Sequence, residues 1–300
     1  MAEGRSGKER LFELLAQFTD DSTNTASNAE AFVTDDLETL YNETWASPGL
    51  RWRLNSLNKR LGSLRKGDFG FIFARPETGK TTFLASEISH MASQLSPEAG
   101  PILHFNNEEQ GNKVMLRYYQ AVLGYTSPEV WSNKQGNQIK YHDITHGKIS
   151  IIDRAEIHKN RVEQMCKELR PSLLIFDQID KIKGFNADRE DLRLGAIYIW
   201  ARELAKNYCP TIGVCQADGT AEGVKWLTMD HVANAKTSKQ AEADFIIGIG
   251  CIHDPVFESV RFINISKNKL QGDEDTDPKL RHGRFECLIK PEIARYEDYK

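Results

Sequence analysis

The chain has 300 residues, 40% of them hydrophobic and 27% charged, an ordinary globular balance that rules out a disordered, fibrous or membrane-spanning chain. Thirty-nine basic against 43 acidic residues give a formal net charge of -4, so no global positive field announces nucleic acid, although a local basic strip could bind it. Five cysteines, Cys166, Cys209, Cys215, Cys251 and Cys287, form no CxxC pairing and read as reduced core thiols of a cytosolic protein.

Residues 1–18 carry charges where a signal peptide needs an apolar stretch, and the longest apolar run, near residues 245–252, is too short to span a bilayer. One helix is expected near residues 9–18, with Leu11, Leu14, Leu15 and Phe18 on one face, and another near 34–44. The small polar residues at 19–31 read as a linker between them. Residues 1–44 thus form an N-terminal arm and residues 45–300 the body.

From Gly67 onward, short apolar runs at 69–73, 102–105, 173–176, 211–215, 245–249 and 261–265 alternate with helical stretches, among them 80–94, 111–123, 155–168 and 192–207. The alternation predicts an α/β fold with a mainly parallel central sheet and helices on both faces. Ligands of such sheets sit at the carboxyl ends of the strands, so the residues just after each run are the candidates for chemistry.

The first run ends in Ala74, Arg75, Pro76, Glu77, Thr78, Gly79, Lys80, Thr81 and Thr82, which fits the phosphate-loop pattern GxxxxGK[ST] except for Ala74 in place of the first glycine. Such a loop wraps backbone N–H groups around a phosphate at a helix N-terminus, with a lysine on the terminal phosphates and a hydroxyl on Mg2+. A glycine-lysine-threonine tripeptide also occurs by chance in turns; the strand before it and the helix after it point to a nucleoside triphosphate, ATP or another NTP or dNTP.

The run at 173–176 ends in Asp177, placed to hold Mg2+ beside the phosphate loop, where without that loop it would read as a helix cap. Glu108 follows the run at 102–105 and is the choice for the base that polarises the attacking water; Glu109 is its rival, since two adjacent acids also suit a solvated first helical turn. Gln216 ends the run at 211–215, as a sensor of the γ-phosphate or as a plain polar strand end.

With these residues in view, the chain resembles the ATPase domain of DnaB-type replicative ring helicases, phage versions included, built on a RecA-like P-loop core. The likeness runs from about Gly49 to the C-terminus. It is carried by the lead-in Leu61-Gly62-Ser63-Leu64-Arg65-Lys66-Gly67-Asp68, by ARPETGKTTF, by Phe105-Asn106-Asn107-Glu108, and by Cys215-Gln216. Ala243-Asp244 and Ser266-Lys267-Asn268-Lys269 extend it.

The resemblance assigns Lys80 and Thr81 to phosphate and Mg2+, Glu108 to the catalytic glutamate, Asp177 to the Walker B position and Gln216 to the strand-end glutamine. It places Lys267 and Lys269 where basic residues reach a neighbour's γ-phosphate, with Lys269 standing for the expected arginine. An ammonium is a point charge without the planar fork of a guanidinium, so the two lysines act jointly or turnover is weak. Tyr296, near the family's final strand, packs on the nucleotide base or serves as a structural aromatic.

A RecA-like core also implies DNA loops at residues 181–188 and 218–239, the second carrying Lys225, Lys236 and Lys239. The activity implied is ATP-dependent translocation on single-stranded DNA by a homo-hexameric helicase during replication, with the arm docking on an adjacent subunit. Residues 1–44 are too few for the family's N-terminal collar or a primase, which points to a separate primase or loader. Two rivals share the core: a recombination or repair ATPase that forms filaments on DNA, and a signalling ATPase without DNA.

Overall fold

The computed structural model of the chain describes residues 36–44, 46, 48–234 and 236–299. The expected helix at 9–18 and linker at 19–31 lie outside the described residues. The chain divides into two units at Ala46 and Ser47. In the first, the expected helix at 34–44 is α1 (Leu37–Thr44), whose first turn is satisfied by Asp36 Oδ1 accepting from the Thr39 N–H at 2.8 Å.

In the second unit, apolar runs without alternation become strands covered on both faces. After α2 (Asn55–Leu61) come β1 (Phe69–Ala74), α3 (Lys80–Ala92), β2 (Ile102–Asn106) and α4 (Gly111–Leu123). Then follow α5 (Ser127–Ser132), α6 (Lys134–Thr145), β3 (Ile149–Asp153), α7 (Lys159–Leu169) and β4 (Leu173–Asp177). The chain continues through α8 (Glu190–Asn207), β5 (Thr211–Gln216), α9 (Lys236–Glu242), β6 (Phe245–Gly250), β7 (Val260–Asn268), β8 (Gly283–Lys290) and β9 (Arg295–Asp298).

The strands form one sheet in the order β3-β2-β4-β5-β1-β6-β7-β8-β9. Pairs from β3 to β6 are parallel, and β7 to β9 add an antiparallel edge. The expected α/β architecture with a mainly parallel sheet is borne out. Strand β3 and helices α5 and α6 were not expected, and α7 starts at Lys159 rather than 155.

Alternate residues of each strand feed two apolar layers. Ile72, Ile102, Ile175 and Val214 pack with Phe83, Ile88 and Tyr118 of α3 and α4. Phe71, Phe105 and Phe176 pack on the other face with Val162 of α7 and Ile197, Tyr198 and Trp200 of α8. Phe105 and Phe176 stack at 5.1 Å. All five cysteines are free, and four of them are buried. Among the described residues no helix is long and apolar enough to cross a membrane.

The crossover from β1 over β4 and β5 to β2 puts the carboxyl ends of these four strands side by side. Register fixes their depth: Ala74 pairs with Gln216, and Asn106 with Asp177. A crevice at such ends is where an open parallel sheet binds its ligand.

Candidate nucleotide site

The turn between β1 and α3 is shaped by Gly79, which caps α3 at φ 104°, a left-handed conformation that glycine adopts without strain. A Cβ there would also lie 2.6 Å from Ile289 Cδ1. The loop is held from outside: Arg261 Nε donates to the Thr78 carbonyl at 2.7 Å, and the Tyr296 hydroxyl to the Gly79 carbonyl at 3.3 Å. Pro76 and Glu77 stand exposed at its tip, while Thr78 and Lys80 are buried.

Lys80 Nζ folds back across the loop to the carbonyls of Arg75 (3.1 Å) and Ala74 (3.4 Å). Burial lowers its pKa, and Glu108 and Asp177 pull it back up. The three groups therefore sit within electrostatic reach of one another although they come from three separate strand ends. The first turn of α3, carrying Thr81 and Thr82, adds its free N–H groups and positive dipole end.

Asp177 is 1% exposed, and neither carboxylate oxygen has a hydrogen-bond partner. Burial pushes it up to about 7, with Glu108 adding to the rise and Lys80 opposing it. A buried carboxylate with both oxygens unpaired is costly unless a cation completes it. This orphaned acid beside the phosphate loop, with Thr81 one residue past Lys80, fits Mg2+, which needs few protein ligands because phosphates and water fill the rest of its shell.

Glu108 Oε2 accepts from Gln178 Nε2 at 2.8 Å. Glu109 turns instead to an ion pair with Arg117. The turn that separates them is pinned by Asn106 Nδ2, which donates to the Glu109 carbonyl at 2.6 Å and to Asp153 at 3.0 Å. Asn107 Nδ2 donates to the Gln178 carbonyl at 3.3 Å. Gln216 ends β5 half-buried beside Ala74, one residue before Ala217, whose N–H donates to the Ala74 carbonyl at 3.0 Å.

Arg75 leaves the loop sideways. Its Nε meets Glu222 Oε2 at 2.9 Å, and Glu222 Oε1 meets His253 Nε2 at 2.9 Å. The phosphate loop is thus tied to the segment that follows β5.

Several expected roles need correction. Tyr296 is fully buried, edge-on to Phe83 at 5.2 Å, so its ring offers no face to a base and its part is to brace Gly79. Lys239 is fully buried, its Nζ 2.6 Å from Asp180 Oδ2 and 2.9 Å from the Ala233 carbonyl, which leaves nothing for a DNA phosphate. Lys225 pairs with Glu286 at 3.0 Å and lies 4.5 Å from the Phe262 ring centroid. Lys236 begins α9, and its side chain lies outside the described residues.

The segment carrying these lysines is not a loose loop. Leu227 and Val232 are buried, Ala217 bridges Val232, and Asn264 Nδ2 donates to the Leu227 carbonyl at 2.6 Å. It presses so closely on β6 that a Cβ on Gly250 would lie 2.3 Å from the Lys225 carbonyl.

Lys267 and Lys269 lie at the end of β7 that pairs with the start of β6: Lys267 faces Ile246, whereas Ala74 of β1 faces Ile249. They stand at the opposite edge of the sheet from this chain's own phosphate loop. Lys267 caps α9 by donating to the Gln240 and Ala241 carbonyls; Lys269 is exposed.

Sequence reasoning missed Gln178, Arg261 and His104. Gln178 was findable as the residue after the strand-end acid. Arg261 and His104 carry no local signal, because their partners are 183 and 73 positions away.

A family model for an AAA domain matches residues 36–218, a span that includes Lys80, Glu108, Asp177 and Gln216. The replicative DNA helicase DnaB of Buchnera aphidicola subsp. Schizaphis graminum (strain Sg) is 25% identical over 211 residues, 63% of this chain and 44% of that protein. The chain thus spans less than half the length of this curated relative. The solved ATPase domain of a phage helicase superposes with a TM-score of 0.68 at 14% identity, over 99% of this chain and 100% of that one. A DnaB-like replicative helicase, solved with attention to its interactions with primase, gives 0.67 at 17% identity, over 98% of this chain and 71% of that one. The RecA-like core and the DnaB-type resemblance expected from the sequence are borne out.

Proposed function

The chain belongs to the AAA domain family, and from that premise we propose that it is an ATP hydrolase that drives a DnaB-type ring helicase along single-stranded DNA. The observation that carries the reading is the buried, unpartnered Asp177 carboxylate facing Lys80 and Glu108 across the strand ends. The relatives' roles in replication supply the substrate class.

ATP binds with its phosphates against the backbone N–H groups of residues 75–81 and the N-terminus of α3. Lys80 leaves the carbonyls of Ala74 and Arg75 for the terminal phosphates. Thr81 and Asp177 would hold Mg2+, which supplies positive charge to the phosphate oxygens when bound. Glu108, aimed by Gln178, accepts the proton of the attacking water.

Gln216, at the end of the strand between β1 and β4, carries the change at the γ-phosphate into the segment after β5. Because Lys267 and Lys269 face away from their own nucleotide, their part is played at a neighbour's site, in a homo-hexamer. DNA is met by that segment and by residues 181–188, with Lys236 its remaining lysine outside the packed core. A separate primase or loader acts alongside.

The test is the ATPase rate with and without single-stranded DNA for the parent, Lys80→Ala and Glu108→Gln. DNA stimulates the parent and neither variant, and only Lys80→Ala loses nucleotide binding. Turnover of the parent indifferent to DNA overturns the motor reading in favour of a RecA-like signalling ATPase.

A further inference from the structure

Directly behind Asp177 lies a histidine with no place in the mechanism above. On β2, Ile102 and His104 turn toward the face that carries α3 and α4, while Leu103 and Phe105 turn to the other. Asp177, at the end of the neighbouring strand, pairs with Asn106 and stands two residues beyond His104 along the sheet. The surroundings are apolar throughout, and both His104 and Tyr118 of α4 are 0% exposed.

Three polar groups form a line through this core. His104 Nδ1 is 2.8 Å from the Tyr118 hydroxyl, with the rings edge to face at 5.9 Å. His104 Nε2 has no hydrogen-bond partner and points to Asp177 Oδ2, 4.0 Å away. Burial holds the imidazole neutral and the phenol protonated.

A neutral imidazole carries one proton. If the Tyr118 hydroxyl donates to Nδ1, that proton lies on Nε2 and faces the carboxylate. The opposite tautomer would aim a lone pair at an anionic oxygen in a medium of low dielectric.

Building on the hydrolase reading, we propose that His104 is a positioning residue for Asp177: Tyr118 fixes its tautomer, and its Nε2–H holds Oδ2 so that Oδ1 is presented to Mg2+. The 4.0 Å gap closes by a small turn of the carboxylate, as hydrogen bonds around a catalytic centre often tighten when the site fills. A metal ligand's outer partner of this kind sets the orientation of the ligand and the affinity for the ion.

Two measurements test this. In the parent, with no nucleotide present, 15N NMR of the histidine rings should show His104 as the Nε2–H tautomer; the Nδ1–H form overturns the proposal. Mn2+ binding to the protein-nucleotide complex, read by electron paramagnetic resonance, should weaken about tenfold in His104→Phe and to a lesser degree in Tyr118→Phe. Nucleotide binding in the absence of divalent ions should be unchanged in both.

If His104→Phe fails to fold, Tyr118→Phe decides, since it removes one hydroxyl and no packing volume. Unchanged Mn2+ affinity in the folded variants, with a loss in Asp177→Asn, overturns the role of His104 and leaves the hydrolase reading standing. Unchanged affinity in Asp177→Asn as well overturns both.

Discussion

Gln178 Nε2 donates to Glu108 Oε2 at 2.8 Å, so the residue immediately after the strand-end acid of β4 aims the candidate base at the end of β2. Gln178 does this from a left-handed backbone at φ 67°, a conformation that costs a non-glycine residue about 1 kcal/mol or more. Gln178→Gly relieves that strain while removing the side chain. We expect its stability to stay within about 1 kcal/mol of the parent and its kcat for ATP to fall about tenfold or more, because a base held loosely spends less time in line. Urea denaturation and steady-state kinetics check the pair. A kcat equal to the parent's would show that Glu108 needs no such support.

The ion pair of Lys239 and Asp180 is structural. Lys239 is fully buried over the Tyr198 ring, and the Tyr198 hydroxyl also donates to Asp180, at 3.2 Å. Removing one partner of such a pair strands the other, at a cost of about 3 kcal/mol. Lys239→Ala should therefore show a large loss in denaturant unfolding, and Lys225→Ala, whose ion pair is half-exposed, a loss of about 1 kcal/mol or less. Equal small losses would contradict the buried placement.

Glu87 on α3 is fully buried and pushed up to about 7 by that burial, against the pull of Arg53 and of hydrogen bonds from the Arg53 and Leu54 N–H groups. In the unfolded chain it titrates near 4.5. The folded state therefore keeps a proton that the unfolded state loses. This contribution is complete below pH 4.5 and disappears as pH rises toward about 7, at a total cost of about 3 kcal/mol. Glu87→Gln should gain on the parent by roughly that amount between about pH 5 and 8 in urea unfolding; parallel curves would contradict it.

Glu222 holds Arg75 away from the phosphate hollow. A conformation that must be given up before the ligand is gripped lowers apparent affinity. Glu222→Gln should bind ATP more tightly, by about threefold for an exposed pair, in a fluorescent-nucleotide titration. Weaker binding would show that the tie to Glu222 instead shapes the loop for its ligand.

Much of this was legible in the chain. Buried strands announced themselves as apolar runs, and the phosphate loop by its residues, because both signals are local. Edge strand β3 is largely half-buried, so its run was too weak to stand out. Helix α5 did carry a signal, the Thr126 and Glu129 capping box with Pro128 between them. What could not be read was which way a polar side chain turns. Lys239, in a stretch rich in Ser, Thr and Lys, looked solvated because its partner Asp180 is 59 residues away, and Tyr296 looked available because Phe83 and Gly79 close over it only in the fold.

The account turns on Glu108, rather than Glu109, being the group that takes the proton from water. Single-turnover hydrolysis of bound ATP by Glu108→Gln and Glu109→Gln decides it. The account predicts that both variants bind ATP as the parent does, that Glu108→Gln hydrolyses it about a hundredfold more slowly, and that Glu109→Gln, which loses only its pairing with Arg117, keeps the parent's rate. Hydrolysis that survives in Glu108→Gln and fails in Glu109→Gln would contradict it.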